Sequence, residues 1–213
     1  KDDQKEYTDN LHVRGVITKY SDHIALPIEM KELPKPDSGD DADKDSDKKD
    51  KKKDKKPEEL KYETVNKAKA LWVRSKSEIS DEEYNEFYKT LSYDYQDPLT
   101  HIHSKVEGNQ EYTSLFYIPS VAPFDLYDRD QKNGIKLYIN RVFITDNAEI
   151  MPTYLRFVKG VLDSSDLPLN VSREILQNNK VIDKIKSASV KKIVSNLERM
   201  AKNDEESYKK FWS

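Results

Sequence analysis

The sequence predicts a mixed α/β domain in which helices cover a few strands, an α/β sandwich rather than a doubly wound sheet. Three observations carry this. Alternating apolar residues mark strands between residues 100 and 145. Apolar residues at helical spacing mark helices on either side of them. A charged stretch over residues 31–59 then separates a short N-terminal piece, 1–30, from a body that runs over 60–213. The 213 residues suffice for one ordinary domain with extras.

In order along the chain, Leu11, Val13, Val16, Ile17 and Tyr20 predict a helix, with Thr8 or Asp9 as its cap. His23 to Met30 reads as a strand with Ile24, Leu26, Ile28 and Met30 on one face, and Pro27 confines it to an edge. One helix and one strand cannot make a core, so this piece is expected to be the tail of a domain whose body lies elsewhere, and to be mostly unordered without it. Residues 31–59 hold one leucine, one alanine and no aromatic residue. Such a segment cannot bury enough apolar surface to offset chain entropy and is expected to be disordered. Its lysines admit a nucleic-acid reading, but the interleaved acids favour a solvated tether. After an extended entry at 62–71, Ser80-Asp81-Glu82-Glu83 forms a capping box. Tyr84, Phe87, Tyr88, Leu91 and Tyr95 continue that helix until Asp97-Pro98 stops it. Thr100 to Glu107 and Glu111 to Pro119 predict a hairpin around Gly108-Asn109. Ile135 to Thr145 reads as one central strand. Tyr154, Leu155, Phe157, Val158 and Val161 predict a helix opened by Pro152, followed by a polar loop at 163–166. A long helix from about Asn179 to Ala201 carries Ile182, Ile185, Ser189, Ile193, Leu197 and Met200 on one stripe. Asp204 caps a last short helix ending with Phe211 and Trp212.

Composition narrows the function classes. The net charge of -3 gives no reason to expect a nucleic-acid or membrane surface. The absence of cysteine rules out a disulfide or thiolate metal site in these residues and fits a reducing compartment. No apolar run approaches the roughly 20 residues of a membrane helix. Lys1 and the terminal Phe211-Trp212-Ser213 read as boundaries within a longer protein. With only five glycines and no GxxxxGK[ST], GxGxxG, GxSxG or HExxH, the chain is a poor candidate for a complete enzyme.

Four features could carry chemistry. His101 and His103, at i and i+2 on a strand, face one side and could share a metal, or lie on a solvated face; no third ligand is suggested, so no metal site is assigned. In LPLNVSREILQNNK, Asn170 and Ser172 are helix caps that lead into Arg173 and Gln177, four apart on one face. An arginine near a helix N-terminus opposes the dipole. Its planar, permanently charged fork suits a terminal phosphate, and the alternative is an ion pair with Glu174 or Asp166. Trp72 and Phe124 read either as partner anchors or as core.

The strings KYSDHIALPIEM, KAKALWVRSKSEI, DEEYNEFYK, DPLTHIHSKVEGNQEYTSLFYIPSVAPFDLY, GIKLYINRVFITD and PTYLRFVKGVLDSSDLPLNVSREILQ, in this order, resemble the ninety-kilodalton heat-shock chaperone family, and NVSREILQ is closest to its bacterial members. The resemblance implies a homodimer in the cytoplasm, with an N-terminal ATP domain, a middle domain and a C-terminal dimerisation domain. Residues 1–30 then match the end of the ATP domain and 31–59 the charged linker. Residues 60–213 match the first unit of the middle domain, a three-layer α/β/α sandwich similar to ribosomal protein S5 domain 2. Arg173 matches the arginine that reaches the γ-phosphate, with Gln177 as its companion. Trp72 and Phe124 match residues that bind unfolded or partly folded client proteins. Where some relatives carry an arginine before Ala-Pro-Phe, this chain has Val121. ATP and Mg²⁺ would be bound by the N-terminal ATPase domain, so the chain alone is expected to bind and hydrolyse none. A DNA-handling ATPase transducer domain is the rival family; it would be more basic and carry lysine in the phosphate-sensing role.

Overall fold

The structure is a computed structural model that describes residues 9–32, 61–108, 110–123, 126, 134–146, 148–167 and 179–212. The expected linker at 31–59, apart from its first two residues, lies outside them, as do Phe124, Arg173 and Gln177.

Helix α1 (Asn10–Tyr20) starts where expected, with the Asp9 carboxylate accepting from the His12 backbone N–H at 2.9 Å. The strand after it is shorter than its apolar alternation suggests. Residues 21–28 turn and bend, and only Glu29–Lys31 (β1) is extended in a ladder. Nor does this strand lack a partner: β1 pairs antiparallel with β2 (Tyr62–Thr64), Met30 opposite Glu63. The partner lies beyond the charged stretch, a long-range pairing that local periodicity cannot announce.

Two single 3-10 turns, Leu71–Val73 and Lys76–Glu78, lead into α2 (Asp81–Ser92). Its capping box is complete: Ser80 Oγ accepts from the Glu83 N–H and Glu83 accepts from the Ser80 N–H. The helix ends one turn earlier than expected, because Tyr93 adopts a left-handed conformation (φ 58°) and closes it onto Lys89, leaving Tyr95 exposed.

Strands β3 (Thr100–Val106) and β4 (Tyr112–Ile118) form the expected hairpin. The single central strand expected at 135–145 is instead a hairpin, β5 (Ile135–Ile139) and β6 (Val142–Thr145). Asn140 and Arg141 both take positive φ, 49° and 67°, as a two-residue primed turn demands, without the glycine that usually signals one. The helix expected around 154–161 is a single 3-10 turn, Thr153–Leu155, followed by strand β7 (Lys159–Ser164). Gly160 shows why the strand wins: a Cβ there would stand 2.3 Å from the Leu115 carbonyl oxygen, a space that only glycine leaves for close pairing with β4. Helices α3 (Lys180–Asn203, capped by Asn179) and α4 (Glu205–Trp212, with Asp204 accepting from Ser207 N–H) end the chain as expected.

The five strands run in the order β3-β4-β7-β5-β6, antiparallel except for β5 beside β7. Their alternation gives two apolar faces. Tyr112, Phe116, Ile135, Leu137, Ile139 and Leu162 pack with Ile182, Ile185 and Ile193 of α3. Leu115, Tyr117, Tyr138 and Val161 pack with Trp72 and with Tyr84 and Tyr88 of α2. The sheet is thus the shared wall of two cores, one under each helix, which makes the architecture mixed α/β.

Candidate functional site

Trp72 sits at the junction of the second core and is wholly buried. Its indole N–H donates to Asp163 Oδ2 at 2.8 Å. Its backbone carbonyl accepts from His103 Nε2 at 2.8 Å. Its ring lies 4.7 Å from His23, 4.8 Å from Tyr138 and 5.7 Å from Phe87, centroid to centroid. This corrects the expectation of direct client contact for Trp72: its polar atom is satisfied inside, and no part of it reaches the surface.

Asp163 was expected in a polar loop. It instead lies in β7, next to its last residue, where the pleat turns it toward Trp72. Burial holds its carboxyl above the usual range, while the Trp72 indole and the Arg141 backbone N–H (3.2 Å) counter that shift. A carboxylate that takes both donors from different elements ties the Trp72 turn and the β5–β6 turn to β7.

Of the two strand histidines, His103 is buried and His101 half-buried. Because a carbonyl can only accept, His103 Nε2 carries the hydrogen toward Trp72, and Nδ1 accepts from the Tyr84 hydroxyl at 2.7 Å. His101 stacks on the Tyr84 ring at 3.9 Å. Burial lowers the pKa of both, and Lys76 adds to the effect. Among the described residues no three His, Asp or Glu side chains converge as a metal site needs.

Sequence reasoning also missed Asn66 and His23. The Asn66 side chain accepts from the Ile28 N–H (2.8 Å) and donates to the carbonyls of Leu26 (3.0 Å) and Ser21 (3.3 Å), closing the 21–28 bend against the body. His23 lies against Trp72 with Nδ1 at 3.1 Å from the Lys69 carbonyl, and burial lowers its pKa. An asparagine before a polar run and a histidine in an apolar stretch were the signals; neither specifies a partner some 45 residues away.

Arg173 and Gln177 lie between Leu167 and Asn179, and the two described flanks are firmly set. Leu167 is buried in the α3-side core, and Ile182, in the first turn of α3, belongs to the same cluster. Asp166 accepts from the Glu111 N–H at 2.5 Å, and Asn179 caps Val181 at 2.8 Å. Phe124 lies between Pro123 and Leu126, which line an apolar concavity of about 440 Å³ with Val121, Phe157, Phe211 and Trp212.

Residues 6–213 match the family described as Hsp90 protein. The chain belongs to the Hsp90 family. It is similar over its whole length to proteins described as chaperone protein HtpG: 55% identical to that of Hydrogenovibrio crunogenus, 54% to that of Coxiella burnetii and 53% to that of Shewanella amazonensis. It spans only 32% of the length of each of these Hsp90 relatives. Among solved structures it resembles the middle domain of a Plasmodium falciparum heat shock protein, with a TM-score of 0.57 and 30% identity over 67% of this chain and 54% of that one. Membership of Hsp90 displaces the rival transducer family. Among the described residues no helix is long and apolar enough to cross a membrane.

Proposed function

We propose that this chain is the coupling segment of an ATP-driven chaperone. Residues 1–30 are the end of its ATP-binding domain, 31–59 its charged linker, and 60–213 the first three-layer α/β/α, S5 domain 2-like unit of its middle domain. Arg173 reaches from the middle domain to the γ-phosphate of ATP held by the N-terminal domain, with Gln177 beside it. The guanidinium can place two parallel N–H donors on the terminal phosphate and oppose charge that grows there as the phosphoryl group transfers. The bound nucleotide would supply the reacting phosphoanhydride bond, and Mg²⁺ would neutralise charge on its phosphates. The described residues offer no glycine-rich phosphate cradle, so holding the nucleotide falls to parts of the protein outside this chain.

The observation that carries this reading is the anchoring of Leu167 and Ile182 in one core cluster. A group presented across a domain boundary needs a fixed base, because small misplacement costs much of the rate. The test is ATP turnover of the full-length protein against its Arg173→Ala variant, with nucleotide affinity measured alongside. The expected outcome is a fall of about tenfold or more, roughly 1.4 kcal/mol in the barrier, with affinity little changed. Unchanged turnover would make the arginine structural.

The concavity beside Val121 and Trp212 favours a client-holding role in addition. Exposed apolar surface of this kind is where a partly unfolded chain can bury its own. Phe124, between two of the lining residues in sequence, is its proposed anchor, and Trp72 supports the fold from inside. The full-length protein acts in this reading as a cytoplasmic homodimer. Phe124→Ala in that protein is expected to weaken capture of an unfolded client and leave basal ATP turnover intact.

A further inference from the structure

An open cleft of about 880 Å³ runs between the sheet-edge strand β3 and helix α3. Four cations line it: Lys76 on one rim and Lys191, Lys192 and Arg199 on the other, with Asp81 as the one carboxylate in the lining. Their formal charges, four positive and one negative, sum to +3 in a chain whose total is -3. No ion pair among the described residues involves any of the four. Lys192 is half-buried and donates to Ser104 Oγ on β3, so it is held over the floor of the cleft rather than swinging in solvent. Burial, with Lys76 nearby, holds its ammonium below the usual lysine range. Four cations gathered in a concave space with a single carboxylate repel one another, and a bound anion offsets that cost.

The spacing says what shape of anion fits. Lys192 and Arg199 are seven residues apart on α3, about 10 Å along its axis, and Lys76 faces them. That is a row of charges, suited to a chain of phosphates rather than to one. The volume lies in the range of about 300–1,000 Å³ usual for small-ligand sites. Tyr84, the aromatic of the lining, is buried and stacked on His101, so no free ring is offered to a nucleobase.

We propose that this cleft binds a short oligophosphate anion through Lys76, Lys191, Lys192 and Arg199. The site uses none of the residues proposed to act on ATP and does not depend on the role proposed for Arg173. The test is calorimetric titration of the chain with inorganic tripolyphosphate at about 0.1 M salt. Binding is expected in the micromolar range, weakened tenfold or more in the double variant Lys76→Gln/Arg199→Gln and by less than twofold in Lys184→Gln/Lys202→Gln, which removes the same charge from exposed α3 positions outside the cleft. Lys76, Lys184, Arg199 and Lys202 are all exposed, so neither double variant should unfold the protein. Equal weakening by the two variants would show diffuse attraction and overturn the site. So would an absence of binding at millimolar tripolyphosphate, including the case where poly-glutamate binds in its place. Adenosine triphosphate binding tenfold tighter than tripolyphosphate would assign the cleft to a nucleotide and overturn the proposal as well.

Discussion

At the scale of single residues the Trp72–Asp163 hydrogen bond matters most, because it satisfies a buried indole and a buried carboxylate at once. Trp72→Phe keeps most of the ring and removes the donor. It should cost about 1–3 kcal/mol of stability, read from urea unfolding, because the carboxylate loses one of its two donors while remaining buried. The titratable groups around it act in opposite directions on pH dependence. Asp163 has a folded pKa above its ordinary 3.8, so the folded state binds the extra proton. Its contribution is fully present below 3.8 and is lost as pH rises through the higher folded value. His23, His101 and His103 have folded pKa values below 6.5, so stability is intact above 6.5 and is lost as pH falls toward the folded values. Asp163→Asn should therefore steepen the gain in unfolding midpoint between pH 4 and pH 6.5, and His103→Gln should flatten it. None of this was legible beforehand: the sequence shows an aspartate among serines and a histidine pair, and only the pleat of β7 and the turn at Trp72 reveal which groups lose water.

At the scale of elements, local chemistry was read well and long-range pairing was not. The Ser80–Glu83 box, the Asn179 and Asp204 caps and the buried stripe of α3 are set by neighbours within a turn or two, so the sequence displays them. Ser80→Ala should lower stability by about 1 kcal/mol. Strand β7 is the contrary case. Its apolar residues fall at spacings that a helix also satisfies, and what decides is pairing with β4 in register Phe116 to Gly160. Gly160→Ala should cost about 2–3 kcal/mol or prevent folding, since backbone rather than a flexible side-chain end occupies the space; a Gly15→Ala control, where no atom lies within 4 Å, should be neutral or stabilising by thermal unfolding. At the candidate site, the proposal for Arg173 and Gln177 rests on wording and helix spacing; both lie outside the described residues, and the structure describes only the buried flanks on either side.

At the scale of the whole molecule, the contacts that hold residues 9–32 to the body include the β1–β2 ladder, Asn66 to the 21–28 bend, Asp22 to the Lys67 and Ala68 N–H groups, Arg14 to Glu63 at 2.6 Å, Tyr20 against Phe143 and His23 against Trp72. Asn66→Ala should raise hydrogen exchange and protease cleavage over 20–30 while changing little in the sheet. The β1–β2 pairing has a further consequence. Glu32 N–H donates to the Lys61 carbonyl at 2.9 Å, so the described residues on either side of 33–60 meet directly. A connection closed at its base is not a ruler. The entropy of closure grows with the logarithm of contour length, and doubling the length adds only about 0.6 kcal/mol. The stretch between these two residues can thus be shortened or extended by evolution, or by an engineer, without moving what it joins.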